Sequence, residues 1–175
     1  IDMAKTSGGI RTYKNGSSTY RRREVEADAM RRSGKYSSVE MGKGGGYVAI
    51  EKSTSRHKPE ELESARILAD KGYKVTLKNE AGLGHKIKTP DGYLFSASFE
   101  QRTPKGNTDI NIRSSLYHVR DKKADVPVLY MKGSGHTRQS VENGIRAFES
   151  ASKYRFKHII VVTGDGRIHR HKHNK

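Results

Sequence analysis

The stretch from residue 90 to residue 113, PDGYLFSASFEQRTPKGNTDINIR, determines what fold the chain is expected to adopt. It starts with the turn Asp91-Gly92, and apolar and small residues then alternate over residues 93–101, as in a strand. A basic loop, RTPKG, follows, and a helical pattern starts near Asp109. The stretch therefore predicts a hairpin that leads through a basic loop into a helix.

Hydrophobic periodicity outward from this stretch predicts the other elements of residues 58–175. One helix is predicted from Pro59 to Gly72, a second over residues 109–124 and a third over residues 137–152. The predicted strands are residues 73–77, 85–89, 93–101, 126–132, 157–163 and 167–172. The order of helix, three strands, helix, strand, helix and two strands predicts an α+β or α/β domain with a mixed or antiparallel sheet.

Residues 1–57 have a different composition, rich in Gly, Ser, Lys and Arg. We expect a basic extension or linker with little core of its own, containing a short helix that ends at Gly34 and a strand at residues 47–51. The predicted domains are therefore 1–57 and 58–175. Because the chain lacks an initiator Met, we also expect the parent polypeptide to be longer at its N-terminus.

The net charge of +16 is the strongest global signal. Residues 101–175 hold 16 Lys and Arg against 6 Asp and Glu, whereas residues 58–100 hold 7 of each. A field of this kind attracts polyanions, and nucleic acids foremost. The absence of cysteine excludes disulfides and Cys-based zinc sites, and no apolar run approaches the roughly 20 residues of a membrane span.

A metal site is one interpretation of the carboxylates in the opening stretch. Asp91 and Glu100-Gln101-Arg102 resemble the Asp…Glu-x-Lys pattern with which metal nucleases hold Mg²⁺ or another divalent cation, and Glu61 is a further possible ligand. Arg102 departs from the pattern because a guanidinium cannot act as a base. The pattern favours the alternative, in which Asp91 forms a turn and Glu100 is an exposed carboxylate on a polar strand face.

The basic loop after Glu100 allows a different chemistry. Arg102, Lys105 and the Thr103 hydroxyl can bind phosphate oxygens, and the following helix offers backbone N–H groups. An ordinary strand-to-helix loop explains the same residues equally well. His118, late on the predicted helix, suits general acid–base work or is simply a solvated histidine.

Two later segments repeat these residue types. The loop KGSGHTR at 132–138 can receive a phosphate through His136 and Arg138, although helix capping explains its Ser and Thr nearly as well. In the terminal RIHRHKHNK, alternation places the histidines on one face of a strand, either as a metal ladder or, more simply, beside a nucleic-acid groove.

From about residue 60 onward the chain resembles the C-terminal nuclease toxin domains of contact-dependent growth inhibition and of related polymorphic or phage-borne systems. The stretches that carry the resemblance are LADKGYKV, TPDGYLF, FEQRTPKG, VPVLYMK and HIIVVTGDGRI, of which E-x-R-T-P-x-G is the most specific. The nearest branch is the tRNase-like group of Barnase–EndoU–colicin–RelE type, which cleaves RNA without a metal through attack of the 2′-hydroxyl. A sister branch uses the PD-(D/E)xK metal nuclease fold, so the resemblance leaves both chemistries open.

The resemblance implies an endoribonuclease that acts on RNA, with tRNA expected, without a cofactor. The implied catalytic residues are a first group of Arg102, Thr103, Lys105 and His118 and a second group of Lys132, His136, Arg167 and His169. The residues expected to bind nucleic acid are Arg113, Arg120, Arg138, Arg170 and Lys172. The alternatives are a metal nuclease using Glu61, Asp91 and Glu100, and a non-catalytic basic module that binds nucleic acid.

A toxin of this kind implies partners and a place of action. The producing cell needs an immunity protein, which we expect to be acidic because the toxin is basic. We expect the domain to act in the cytoplasm of a target bacterial cell after delivery from a larger secreted or phage-encoded protein.

Overall fold

The computed structural model of the chain describes residues 10–53, 56–79 and 89–173, and the chain divides into two compact units. The first unit is Ile1–Ile87 with Asp91–Ser98, and the second is Lys88–Pro90 with Phe99–Lys175. The helices are α1 (Ser18–Arg32), α2 (Pro59–Asp70), α3 (Asp109–Asp121) and α4 (Arg138–Ser152). The strands are β1 (Tyr36–Met41), β2 (Tyr47–Glu51), β3 (Lys74–Leu77), β4 (Gly92–Leu94), β5 (Ala97–Arg102), β6 (Val126–Tyr130), β7 (His158–Val162) and β8 (Ile168–Lys172). Helices and mixed strand pairing confirm the α+β class.

The first unit contains a mixed arrangement of strands β1 to β4. Strand β2 pairs antiparallel with β1 and parallel with β3, and β3 pairs antiparallel with β4. Helix α1 begins after Ser17, whose Oγ accepts a hydrogen bond from the Tyr20 backbone N–H, and α2 begins with Pro59, whose fixed φ suits a first helical turn. Neither these helices nor any other in the described part of the chain is long and apolar enough to cross a bilayer.

The segment expected to be an extension has a core of its own in the structure. Ala27 from α1, Val39 from β1, and Tyr47 and Ala49 from β2 form one buried cluster. The predicted helix and the predicted strand at residues 47–51 are therefore both present, and the expectation of little core was wrong. Because β2 also pairs with β3, the first compact unit extends past residue 57.

The predicted strand over residues 93–101 is interrupted in the structure. Phe95 adopts a left-handed backbone conformation, with φ of 53°, and it turns the chain between β4 and β5. The expected hairpin partner at 85–89 lies outside the described residues except for Thr89, which is not in a strand. After Asp91 the chain instead pairs Gly92 with Leu77 of β3. The predicted order of elements after residue 58 is thus found, but the three strands between α2 and α3 are β3, β4 and β5 rather than the three predicted ones.

The second unit is built from parallel strands crossed by helices. Strands β5, β6 and β7 run parallel and are linked by α3 and α4, and β8 returns antiparallel to β7. Ile112, Leu116 and Val119 form the buried stripe of α3 that the periodicity predicts. Gly144 lets α4 approach α3 closely, since a Cβ there would lie 2.7 Å from Ile112 Cγ2. These connections place the loops after β5, β6 and β7 at one edge of the strands, where α/β folds bind ligands.

Candidate active site

A carboxylate and an imidazole meet on the helix side of the second unit. Glu100 of β5 is 4% exposed, and its Oε2 lies 3.2 Å from Nε2 of His118 on α3. The His118 side chain is 38% exposed, so the ring contacts both the buried carboxylate and the surroundings of the protein. A carboxylate that orients an imidazole is a recurrent device of acid–base catalysis.

The neighbours of this pair come from the same strand. Arg102 lies two residues after Glu100, on the same face of β5, and its Nε is buried without a hydrogen-bond partner among the described residues. The Thr103 hydroxyl accepts a hydrogen bond of 2.8 Å from the Gln101 side chain. The structure therefore brings His118 of the first predicted group against Glu100, whereas Arg102 and Thr103 lie two and three residues further along the chain, at the end of β5.

The expectation of an exposed carboxylate on a polar strand face was wrong for Glu100. Alternation along β5 still places Phe99 and Glu100 on opposite faces, but Phe99, Glu100 and Gln101 are all buried, so both faces of the strand are covered at this point. In the first unit Asp91 is also buried, at 7% exposure, and its backbone oxygen accepts a hydrogen bond from the Lys78 N–H.

A second cluster forms a pocket of about 510 Å³ in the same unit, at the carboxyl ends of β6 and β7. Its apolar wall consists of Met131, Val141, Ile145 and Val161. Its polar lining residues are Ser134, His136, Thr137, Arg138, Glu142, Thr163, Arg167, His169, Arg170 and His171, with Gly133 and Gly164. The structure thus brings together three of the second predicted group, His136, Arg167 and His169, with two residues expected to bind nucleic acid, Arg138 and Arg170.

His136 ties the loop after β5 to the loop after β6. Its Nδ1 lies 3.1 Å from Ser140 Oγ, and its Nε2 lies 3.3 Å from the backbone oxygen of Lys105. The Gly135 N–H donates to the backbone oxygen of Gly106 at 2.9 Å. Because both ring nitrogens of His136 are engaged, this geometry supports a positioning role rather than proton transfer. Lys105, of the first predicted group, is thereby held at the pocket edge.

The arginines at the rim of the pocket have exposed partners. Arg138 pairs with Glu142 at 3.2 Å, and Arg167 pairs with Asp165 at 3.0 Å. Hydrogen bonds from the Thr163 hydroxyl and then from Arg167 hold the pKa of Asp165 below its ordinary value. Exposed ion pairs of this kind contribute little, so a stronger anion can recruit both guanidinium groups at small cost.

Two of the C-terminal histidines, His169 and His171, belong to β8, and His173 follows the strand. His169 and His171 line the pocket, and the rings of His171 and His173 lie 4.9 Å apart. Nε2 of His173 lies 2.5 Å from Glu149 Oε2, without the alignment of a hydrogen bond. Burial, and then the charge of His173, lower the pKa of His171 below its ordinary value of 6.5.

The other predicted residues lie outside both clusters. Lys132 is exposed on the loop after β6 and does not line the pocket. Arg120 on α3 stacks over Tyr117 at 4.8 Å from the ring centre, Arg113 is half-buried on α3, and Lys172 is exposed on β8. Glu61 pairs with His57 at 3.2 Å in the first unit. Nowhere in the described ranges do three His, Asp or Glu side chains converge as metal ligands.

The apolar wall of the pocket was not predicted from the sequence. Met131, Val141 and Val161 follow ordinary strand and helix periodicity, and each is expected to be a core residue. The sequence did contain one indication of a pocket, which is its alternation of strands and helices. That order predicts parallel strands, and parallel strands place the loops after β6 and β7 together.

One solved structure with a similar fold is the CdiA-CT/CdiI toxin and immunity complex from Burkholderia pseudomallei. The similarity covers 70% of this chain and 98% of the matched chain, with a TM-score of 0.53 and 23% sequence identity. No family model matches the chain, and no curated protein matches its sequence. The comparison therefore shows that this chain shares its fold with a chain of that complex.

Proposed function

We propose that the chain is a nuclease toxin domain that cleaves RNA, with tRNA as the expected substrate, through acid–base chemistry. The observation that carries the proposal is the 3.2 Å contact between the buried Glu100 carboxylate and the half-exposed His118 imidazole. The fold shared with a chain of a toxin and immunity complex supports the toxin role.

The chemistry follows from the residues around the pair. His118 removes a proton from a 2′-hydroxyl, whose oxygen attacks the adjacent phosphorus, and the imidazolium returns a proton to the departing 5′ oxygen. The products are a 2′,3′-cyclic phosphate and a 5′-hydroxyl end. Glu100 holds the ring and stabilises its charged form, and the Arg102 guanidinium would stabilise the negative charge that builds on the phosphoryl oxygens.

The positive net charge of the second unit supports a polyanionic substrate. Its sequence holds 17 Lys and Arg against 7 Asp and Glu, a net charge of +10. A surface of this charge binds phosphate backbones with little sequence preference, so selectivity for one RNA must come from particular contacts.

A metal-dependent nuclease is the second candidate, and the burial of the Glu100 carboxylate favours it. A buried carboxylate must be paired, hydrogen-bonded or bound to a cation. The described residues nevertheless contain no converging set of three acidic or imidazole ligands, so they do not fit an assembled divalent-cation site.

The deciding experiment incubates the purified chain with total tRNA and with plasmid DNA, each with and without EDTA. Cleavage of tRNA in EDTA and no cleavage of DNA are expected. His118→Ala should abolish cleavage, whereas His173→Ala, which removes an imidazole outside the Glu100 pair, should retain it. Cleavage only with added Mg²⁺ would move the chemistry to the carboxylates, and inactivity in every lane would leave a binding module.

The toxin role implies a protective partner and a place of action. We propose that an acidic immunity protein covers the basic second unit, and that the domain acts in the cytoplasm of a target bacterial cell after delivery by a longer protein. Co-expression with the neighbouring open reading frame should restore growth to cells that produce the chain. An inhibitor that is basic, or that binds the first unit alone, would contradict the electrostatic part of this proposal.

A further inference from the structure

We propose that the pocket at the carboxyl ends of β6 and β7 binds one unpaired nucleotide of the RNA substrate, with its base on the apolar wall and its phosphate at the arginine rim. This proposal rests on the proposed function and adds a specificity site to it. The pocket volume of about 510 Å³ is within the range of roughly 300–1,000 Å³ that small-molecule sites occupy.

The wall of the pocket is suited to a base. Met131, which follows β6, and the largely buried side chains of Val141 and Ile145 from α4 and Val161 from β7 line its apolar side. His169 and His171 add flat rings, and imidazoles are among the side chains on which unstacked bases rest. The lowered pKa of His171 keeps its ring neutral near pH 7, which removes a charge from the surface that would face the base.

The rim is suited to a phosphate. Arg138, Arg167 and Arg170 line the pocket together with a single carboxylate, Glu142. The Arg170 Nε is buried and has no hydrogen-bond partner in the described part of the chain, which is a costly state for a guanidinium. A phosphate that accepts from these arginines would remove this cost and would displace only exposed ion pairs.

The concave shape selects an unpaired nucleotide over a base pair. A base in a duplex has its faces covered by its neighbours, so it cannot lie against the apolar wall. Sequence-specific RNA recognition uses loops, bulges and ends, whose bases are free to leave the stack. A pocket for one such base would therefore direct the nuclease to a single-stranded position.

The pocket is separate from the proposed reacting pair. Glu100 is level with Pro127 in the β5–β6 register, and the pocket begins at Met131. Four residues along a strand span about 13 Å at ~3.3 Å per residue. The bound nucleotide would accordingly be near the cleaved bond without being the nucleotide that reacts.

The proposal is tested by titrating the intact chain with AMP, GMP, CMP and UMP in an isothermal calorimeter. Adenosine and inorganic phosphate, the two fragments of a nucleotide, are titrated separately. At least one nucleoside monophosphate should bind more tightly than either fragment. Arg167→Glu should weaken that binding at least about tenfold, because it removes a charge-assisted contact. Arg146→Glu makes the same charge change at an exposed α4 position outside the pocket and should leave the affinity within about twofold.

Each outcome bears on the proposal independently of catalysis. Binding of phosphate as tight as that of every nucleotide would reduce the site to an anion site and overturn the base-binding part. An absence of nucleotide binding would overturn the whole proposal. An equal loss of nucleotide affinity in Arg167→Glu and Arg146→Glu would do the same. Nucleotide binding by a chain that cleaves no RNA would uphold the pocket and reject the nuclease, whereas cleavage without nucleotide binding would do the reverse.

Discussion

The contact between Glu100 and His118 predicts that RNA cleavage depends on the charge of the Glu100 carboxylate. Glu100→Gln keeps the shape of the side chain and removes the charge that orients the imidazole. We expect turnover of RNA to fall about 10²-fold, within the range of general acid–base effects, with the melting temperature nearly unchanged. Initial rates and a thermal melt of the same samples measure both quantities.

Asp121→Asn is the matched control for this prediction. Asp121 ends the same helix as His118, is exposed, and pairs only loosely with Arg120 at 3.5 Å. Its substitution should leave the rate within about twofold. An equal loss in both variants would mean that the rate follows the total charge of the unit rather than the Glu100 contact.

Tyr47 is a second residue whose environment predicts a pH effect. Burial, and then the charge of Glu26, raise the pKa of Tyr47 from 10.0 to about 12. Because the folded state holds the phenol proton more tightly than the unfolded state, the contribution of Tyr47 is complete below pH 10 and is lost as pH rises from 10 to about 12. Tyr47→Phe should therefore lose less stability than the natural chain across that interval, measured by urea unfolding at several pH values. Parallel loss in both proteins would contradict the raised pKa.

The partners of these residues could not be predicted from the sequence. Glu100 and His118 are 18 positions apart, and only the fold of the second unit brings them together. Alternation predicted that Glu100 and Phe99 are on opposite faces of the strand, but it does not show that other elements cover both faces. Residue types and loops indicated the candidate chemistry, whereas pairing and burial required the folded chain.

At the level of elements, the contact between α3 and α4 depends on one glycine. A Cβ at Gly144 would lie 2.7 Å from Ile112 Cγ2 and 3.0 Å from the Asp109 backbone oxygen. Gly144→Val should cost about 1–3 kcal/mol, because overpacking outweighs the helix propensity of at most ~1 kcal/mol that a side chain recovers. Ser150→Ala, at an exposed position of α4, should change stability by no more than about 0.5 kcal/mol. Denaturant unfolding that shows Gly144→Val to be neutral would contradict this packing.

Helix α1 depends on a buried arginine for its attachment in the first unit. The Arg23 guanidinium donates to the backbone oxygens of Gly45 at 3.1 Å and Gly72 at 3.0 Å, and it lies over the ring of Tyr13. Arg23→Met should destabilise the chain by about 2–4 kcal/mol, since two buried carbonyls lose their donor. Arg21→Met on the exposed side of α1 should be near neutral. Equal melting temperatures for the two variants would show that residues 18–32 are a loosely attached extension.

Periodicity predicted some elements and missed others for physical reasons. Helices α2, α3 and α4 and strands β6 and β7 carry long apolar repeats, and the structure contains each of them close to its predicted bounds. Strand β1 was missed because its YSSVEM sequence buries little beyond Val39 and has no strong alternation. The core around Ala27 and Tyr47 was missed because it uses small residues and tyrosine within a Gly-rich and Lys-rich composition.

The charge of the whole molecule is distributed unequally between its units. The first unit holds 18 Lys and Arg against 12 Asp and Glu, a net charge of +6, compared with +10 for the second. Long-range attraction of RNA is thus expected to act on both units and to favour the second. Under the proposed function, the total charge would set the affinity for RNA and its salt dependence, whereas the pocket and the Glu100–His118 pair would determine which RNA is bound and cleaved.

Salt dependence separates these contributions for a single arginine. On a single-stranded RNA, each phosphate contact contributes about −0.7 to the slope of log affinity against log salt concentration. If Arg167 at the pocket rim binds a phosphate, Arg167→Gln should reduce the magnitude of the slope by about 0.7, and Arg146→Gln outside the pocket should leave it unchanged. Fluorescence anisotropy of a labelled oligonucleotide, with the His118→Ala background preventing cleavage, measures the slope. A similar change in both variants would show that the second unit attracts RNA through its overall field, without a defined phosphate contact at the pocket.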